Sequence, residues 1–359
     1  MGDLRSNEVT RSGDRATTAS ENRAAASGVR ATTRRDDYLP TANWDSLRLR
    51  AALLARTRQF FVDRGFLEVE TPVLSHDTVI DRHLDPIGVL LADDPRRPHV
   101  GRQLWLQTSP EFAMKRLMAA GGESIYQITR AFRGAEIGAR HNPEFTMVEW
   151  YRRDDTYSAA MQLLSDLAEA LLGLGPAERL SYGEAFVRYA GVDPHRASTE
   201  ELVQAVRTRG ISAPESLDPE NRDAWLDLLL TECVEPRLGS PAPTILCDYP
   251  ASQAALAVVR AEVPAVAERF ELYVRGVELA NGYHELRDAT ILRQRNVATN
   301  ALRIVDGKRS LPVESRLLTA MDRGLPACCG VALGFDRVVM LAAGASTIQE
   351  VMAFPIDRA

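Results

Sequence analysis

The sequence predicts an α+β fold, with a mixed, mainly antiparallel sheet flanked by helices. Three stretches carry that prediction. Residues 125–132 are apolar and β-prone, residues 134–142 are polar and contain glycine, and Phe145, Met147 and Trp150 follow with charges between them. This reads as strand, loop, strand. Residues 270–286 form a second strand-forming stretch, interrupted at Gly276. Residues 330–341 begin as a glycine-spaced strand and run into a helix.

The remaining elements follow in order. Residues 1–41 are rich in Arg, Ala, Ser and Thr and almost lack large apolar side chains. Such a segment cannot bury enough surface to offset the entropy of ordering, so a disordered tail is expected. Residues 47–64 read as a helix, with Leu49, Leu53, Phe60 and Phe61 apolar and a stop at Gly65. Leu67 and Val69 alternate with charges into Thr71-Pro72, as an edge strand would. Residues 82–101 are polar and proline-bearing and read as a loop. Residues 104–108 read as a strand. Ser109-Pro110-Glu111 then opens a helix, with Ser as cap and Pro in the first turn. Residues 157–174, 181–190, 199–209 and 221–233 are helical, and 157–240 reads as a helical insertion. Residues 244–247 return to strand, and 289–304 and 314–323 are helices.

Composition narrows the partners. The chain has 359 residues, 45% of them hydrophobic, enough for one large domain or two modest ones. A formal net charge of −6 does not advertise a polyanion. Cys233, Cys247, Cys328 and Cys329 make no C-x-x-C pair and read as reduced thiols of a cytoplasmic protein. No apolar run reaches membrane-spanning length, and the N-terminus lacks a signal-peptide core.

The first hairpin carries chemistry. It places Arg133 at the end of one strand, His141 across the loop and Phe145 at the start of the next. An arginine fork for phosphate, a second donor and an aromatic face for a base together make a nucleotide site. Glu149 and Tyr151, two residues apart, share a strand face. Glu271 and Glu278 are seven apart, a spacing that sends them to opposite faces of an unbroken strand. Gly276 between them marks the bulge or turn that would let them converge.

Three segments resemble the signature motifs of class II aminoacyl-tRNA synthetases of the lysine branch. Phe66-Leu67-Glu68-Val69-Glu70-Thr71-Pro72-Val73-Leu74 is similar to motif 1, residues 129–151 to motif 2, and Gly330-Val331-Ala332-Leu333-Gly334-Phe335-Asp336-Arg337 to motif 3. Leu104-Trp105-Leu106-Gln107-Thr108-Ser109-Pro110-Glu111, Asp248-Tyr249-Pro250-Ala251-Ser252-Gln253 and Asp357-Arg358-Ala359 resemble more closely the stand-alone paralogues that join (R)-β-lysine to elongation factor P. The resemblance implies one catalytic domain over 42–359 and a homodimer formed through the motif 1 helix and strand. It implies activation of an amino acid by ATP and Mg2+ to an acyl-adenylate, with Arg133 and Arg337 as catalytic residues. ATP would be bound by Arg133, Gly134, Ala135, Glu136, His141, Asn142, Phe145, Glu278, Leu279, Gly334 and Arg337. Glu271 and Glu278 would hold magnesium. The amino acid would meet Ser109, Pro110, Glu111, Glu149, Tyr151, Asn281, Tyr283, Glu285 and Ala332. Glu285 and Tyr151 would take its side-chain amine, and Tyr283 would be a packing wall.

Two departures stand out. Motif 2 usually reads Arg-Asn-Glu, and here reads Arg133-Gly134-Ala135, with Glu136 one place later. Ala332 stands where lysyl-tRNA synthetases usually have Gly. The expected acceptor is a lysine of elongation factor P, with lysine or β-lysine as the small substrate. A tail of some forty residues cannot fold into an anticodon reader, so tRNA is not expected. The alternatives are a truncated lysyl-tRNA synthetase and a silent regulatory paralogue that only binds lysine or nucleotide.

Overall fold

The structure, a computed structural model, describes residues 38–359 other than Ser216. The tail expected over 1–41 therefore lies outside the described residues up to position 37. Its last residues are held: the Thr41 amide donates to the Ala353 carbonyl at 3.0 Å, and Ala42 is buried.

Helix α1 (Trp44–Val62) starts where the Asn43 side chain accepts the Ser46 amide. Strands β1 (Leu67–Glu68) and β2 (Leu74–Ser75) follow. The stretch expected as a loop contains β3 (Gly88–Ala92), paired antiparallel with β4 (Gly101–Leu106), and β2 pairs with the other edge of β4. The apolar run Val89-Leu90-Leu91 is short, largely exposed and flanked by turn formers, so its partner strand decides its conformation rather than its own pattern. Helix α2 (Glu111–Ala119) has Pro110 at the capping position, with Ser109 one place earlier. The Ser109 hydroxyl still accepts the Glu111 amide at 3.3 Å. Strands β5 (Ser124–Phe132) and β6 (Glu144–Arg153) form the expected hairpin.

Helix α3 (Tyr157–Leu172), β7 (Glu178–Ser181), α4 (Tyr182–Ala185), α5 (Thr199–Thr208) and α6 (Arg222–Leu229) come next. Both α4 and α6 continue into π-helical turns, Phe186–Ala190 and Leu230–Val234. Strands β8 (Thr244–Pro250), β9 (Val259–Arg260), β10 (Val266–Val274) and β11 (Val277–His284) return to the sheet. Helices α7 (Ala289–Val305) and α8 (Arg316–Gly324), strand β12 (Cys328–Gly334) and helix α9 (Phe335–Ala342) complete the order.

The main sheet runs β1-β5-β6-β12-β11-β10-β8-β7, with β9 also paired to β10. Its edge pairs, β1 with β5 and β7 with β8, are parallel, and every pairing between them is antiparallel. One face is closed by α1, α3 and α9, whose Leu53, Phe61, Leu164, Leu167, Val338 and Val339 pack on Val148, Trp150, Val331 and Leu333. Helix α3 thus belongs to the main core, not to the insertion, and the gap between the first two expected helices contributes edge strand β7. The inserted helices have a core of their own, in which Tyr182, Phe186, Leu202, Leu226 and Leu229 cluster with Tyr249 and Tyr273 of the sheet.

One buried ion pair locks the frame of the site. Asp336, 3% exposed, accepts the Thr146 amide at 2.6 Å and pairs with Arg50 at 2.6 Å. Helix α1, strand β6 and helix α9 therefore meet on one carboxylate. The sequence places these three elements far apart, and only folding brings them together.

Candidate active site

The antiparallel register writes the site as rows across the sheet, because directly opposed residues point to the same face. One row reads Ile125, Tyr151, Gly330, Tyr283 and Arg269. The next reads Gln127, Glu149, Ala332, Asn281 and Glu271. Val148, Trp150 and Val331 alternate with them into the core on the opposite face. The polar face is a groove floor. Along β6 from Tyr151 to Phe145 it is roughly 20 Å long at ~3.3 Å per residue.

At the Tyr151 end lies a carboxylate cluster. Glu111, Glu149 and Glu285 are 8%, 1% and 1% exposed. The Tyr151 hydroxyl donates to Glu149 Oε1 at 2.6 Å, and Glu149 Oε2 finds no hydrogen-bond partner among the described residues. Burial, helped by the Glu111 charge, pushes the Glu149 carboxyl up to about 8. Gly330 makes room for this cluster. A Cβ there would lie 2.3 Å from both Glu285 Oε1 and Tyr151 Cε1. Tyr283 is half-buried and packs against the second core, which the inserted helices share with Tyr249 and Tyr273. Pro110 is buried at the mouth of α2.

Sequence reasoning missed Lys115. Its ammonium lies 2.6 Å from Glu111 Oε1 and 2.5 Å from Glu285 Oε2, with the side chain 2% exposed. Burial opposes its charge, but Glu111 and Glu285 outweigh burial and hold its pKa well above the ordinary lysine value. A signal was present. Glu111, Met114, Lys115 and Met118 recur at helical spacing and form the buried face of α2, so a lysine stood where an apolar residue belongs.

At the other end the arginines gather. Arg337 Nη2 is 2.8 Å from His141 Nε2, Nη1 donates to the Glu278 carbonyl at 2.8 Å, and Nε donates to the Arg140 carbonyl at 3.3 Å. Partial burial, then the Arg337 charge, lower the His141 pKa, which leaves a neutral ring to accept from Arg337. Arg133 lies over the Phe145 ring, with 5.0 Å from guanidinium carbon to centroid, and Nε donates to the Thr108 carbonyl. One face of the ring expected to stack on adenine thus already carries an arginine.

The 133–143 loop is pinned on several sides. The Gly134 amide donates to the Asp85 carbonyl at 2.7 Å, and the Asp85 side chain is held by Arg303 and Lys308, each at 2.9 Å. The loop tip is tied to Ile348, Gln349 and the Gly276 carbonyl. Ala135 adopts φ 63°, a left-handed conformation that alanine adopts with strain. Glu136 lies 3.9 Å from Arg133, so the loop retains a carboxylate beside the arginine although position 135 has none.

Two expected nucleotide ligands have other uses. Asn142 is buried, donates to the Glu144 carbonyl and accepts the Ile356 amide, so its amide group ties the loop to the C-terminal turn. The Leu279 side chain is in the main core, which leaves only its backbone facing Gly334.

The two expected metal ligands differ sharply. A turn at Arg275 and Gly276 (φ 52° and 68°), with a bulge after Leu272, puts Glu271 opposite Asn281 and Glu278 opposite Tyr273. Glu271 accepts from Arg269 and Asn281 on one oxygen and from Tyr249 and Tyr273 on the other. Four donors use its lone pairs, so it does not fit a metal ligand as it stands. The Glu278 side chain is 39% exposed, with Arg337 at 3.6 Å, and fits a single carboxylate ligand on the groove. Partial burial, then the Glu271 charge, raise its pKa. Glu235, from the insertion, is a third acid here, 3.3 Å from the Tyr273 hydroxyl. Among the described residues no group of three or more His, Cys, Asp or Glu is arranged to hold a metal.

A nine-stranded, mainly antiparallel sheet, with an arginine at each side of one groove end and an acidic pocket at the other, defines an amino-acid-activating synthetase core. The family described as tRNA synthetases class II (D, K and N) matches residues 29–358, and the chain belongs to that family. It is 46% identical over 322 residues to the elongation factor P--(R)-beta-lysine ligase of Salmonella typhi, covering 90% of this chain and 98% of that protein. It is also 46% identical over 324 residues to the protein of the same name from Vibrio cholerae serotype O1, covering 90% and 99%. The family uses ATP. No helix among the described residues is long and apolar enough to cross a membrane.

Proposed function

We propose that the chain activates (R)-β-lysine with ATP and transfers the acyl group to a lysine side chain of elongation factor P. The observation that carries this reading is the buried cluster of Glu111, Glu149 and Glu285 at one end of the groove, with oxygens still lacking hydrogen bonds. Acceptors of that kind suit the ammonium of a lysine-type amino acid. The relatives' names state the same substrate and acceptor for those proteins.

In the first step a carboxylate oxygen of the amino acid attacks the α-phosphorus of ATP. The new C–O–P link forms as the bond to pyrophosphate breaks. Arg133 and Arg337 neutralise charge on the phosphates, and neutral His141 holds the Arg337 fork in place. In the second step a deprotonated lysine ε-amine of the acceptor attacks the acyl carbon. An amide forms, AMP leaves and a proton goes to solvent. Magnesium usually takes one or two carboxylates with substrate phosphates, so Glu278 would receive it with the nucleotide, and it would add positive charge there. Glu271, with its four donors, anchors Asn281 and Arg269. The exposed Trp44, Val62 and Leu67, at 70%, 58% and 64%, support a homodimer through α1 and β1, which light scattering at micromolar concentration tests directly.

Incubating the protein with ATP, labelled (R)-β-lysine and either elongation factor P or total tRNA is the direct test. Label is expected on the protein acceptor. Protease-resistant label on tRNA would replace this reading by that of a tRNA synthetase.

Ala332 lies between Glu149 and Asn281 on the groove floor. Ala332→Gly removes a methyl from the surface on which the substrate backbone lies. The ratio of pyrophosphate-exchange rates for α-lysine over β-lysine is expected to rise roughly tenfold, since one methyl-sized change shifts discrimination by ~1–3 kcal/mol. An unmoved ratio would mean that Ala332 does not touch the amino acid.

A further inference from the structure

A pocket for a substrate ammonium already contains an ammonium. Lys115 bridges Glu111 and Glu285 at 2.6 and 2.5 Å from the buried face of α2. Lys115 occupies Glu285 Oε2, whereas Glu285 Oε1, Glu149 Oε2 and Asn281 Oδ1 have no hydrogen-bond partner among the described residues. Buried polar atoms without partners are rare, and three in one groove mark places that a bound donor would complete.

Charge counting gives Lys115 its meaning. Three buried carboxylates in one pocket cannot all ionise without a cation. The groups facing this space are Glu111 and Lys115 from α2, Glu149 and Tyr151 from β6, Glu285 after β11 and the Cys328 thiol from β12. With Glu111, Glu149 and Glu285 ionised and Lys115 protonated, the pocket carries two net negative charges. With the proton kept on Glu149, it carries one.

We propose that Lys115 is a positioning residue for the amine pocket, a built-in counter-cation that offsets the buried Glu111 and Glu285 carboxylates and holds them in place so that the free oxygens of Glu285 and Glu149 receive the substrate ammonium. This deepens the lysine-type reading of the site and rests on it. Arriving with its own positive charge, the substrate takes the place of the last proton on Glu149. Affinity therefore rises as Glu149 loses that proton, through a pH of about 8. Without Lys115, the burial that already raises the Glu285 carboxyl is no longer opposed by a neighbouring cation, and the same affinity is reached only at higher pH.

The test uses the whole protein and β-lysine-dependent pyrophosphate exchange between pH 6 and 10, in the parent and in Lys115→Met, a swap of similar volume. At pH 7.5 the variant's KM for β-lysine is expected to rise on the order of 10–100-fold, the equivalent of one to two pKa units of extra carboxylate protonation. The KM–pH curve should move to higher pH, while the KM for ATP stays within about threefold of the parent. In Lys115→Ala, propylammonium, the deleted fragment, should restore low KM and neutral propanol of the same size should not, which keeps the idea testable if Lys115→Met folds poorly. An unmoved KM–pH curve in folded Lys115→Met, or equal rescue by propanol and propylammonium, would overturn the inference alone. Absence of exchange with any lysine-type amino acid in the parent would overturn the functional reading and this inference with it.

Discussion

Replacing Arg337 by alanine is expected to lower ATP–pyrophosphate exchange by about 10²–10³-fold, the usual effect of deleting one preorganised donor to developing charge. The side chain is 22% exposed and makes its close contacts to polar groups at the end of the groove proposed to bind nucleotide: His141, the Glu278 carbonyl and the Arg140 carbonyl. Its net contribution to stability is a few hydrogen bonds worth ~0.5–1.5 kcal/mol each at most, so the melting temperature should fall by only a few degrees. Arg337→Lys keeps the charge but loses the fork that spans His141 and two carbonyls, and should sit between parent and alanine variant. Calorimetry beside the exchange assay separates the cases. Near-parent exchange in a folded Arg337→Ala protein, or a variant that does not fold, would remove Arg337 from its assigned place.

Gly330→Ala should close the amino-acid end of the groove. The added methyl would lie 2.3 Å from the Tyr151 ring and 2.3 Å from the Glu285 carboxylate, and neither can easily give way. Tyr151 is held by its hydrogen bond to Glu149, and Glu285 by Lys115. Overpacking of this kind costs about 1–3 kcal/mol of stability. A displacement of binding groups by about 1 Å typically costs on the order of 10²-fold, so the lysine KM should rise by that order while the ATP KM changes little. A folded Gly330→Ala protein with parental KM for lysine-type amino acids would show that the pocket lies elsewhere.

The two variants divide the groove between them, and the sequence foresaw only part of each end. Arg337, His141 and Arg133 were legible because strand–loop–strand and strand–helix junctions announce themselves through glycine, charge and apolar alternation. Glu149, Tyr151 and Glu285 could be picked out by type and by resemblance. That Glu271 is saturated by Arg269, Tyr249, Tyr273 and Asn281 could not, because two of its four partners, Tyr249 and Asn281, come from neighbouring strands. The same limit hid β3, whose conformation depends on β4, and misplaced α3, whose apolar face looks the same whether it covers the main sheet or an insertion.

By itself the sequence determined the order and type of most elements and the residue types at both ends of the groove. These follow from local terms: side-chain periodicity, caps and turn formers act over a few residues. Only the tertiary structure decided which polar groups are paired and which are free. Asn142 turned out to tie the loop to Ile356, Asp336 to join α1, β6 and α9, and Lys115 to lie between Glu111 and Glu285. A buried charge takes its meaning from the neighbours that remain when water is excluded, and those neighbours are set by strand register and helix packing across more than a hundred residues.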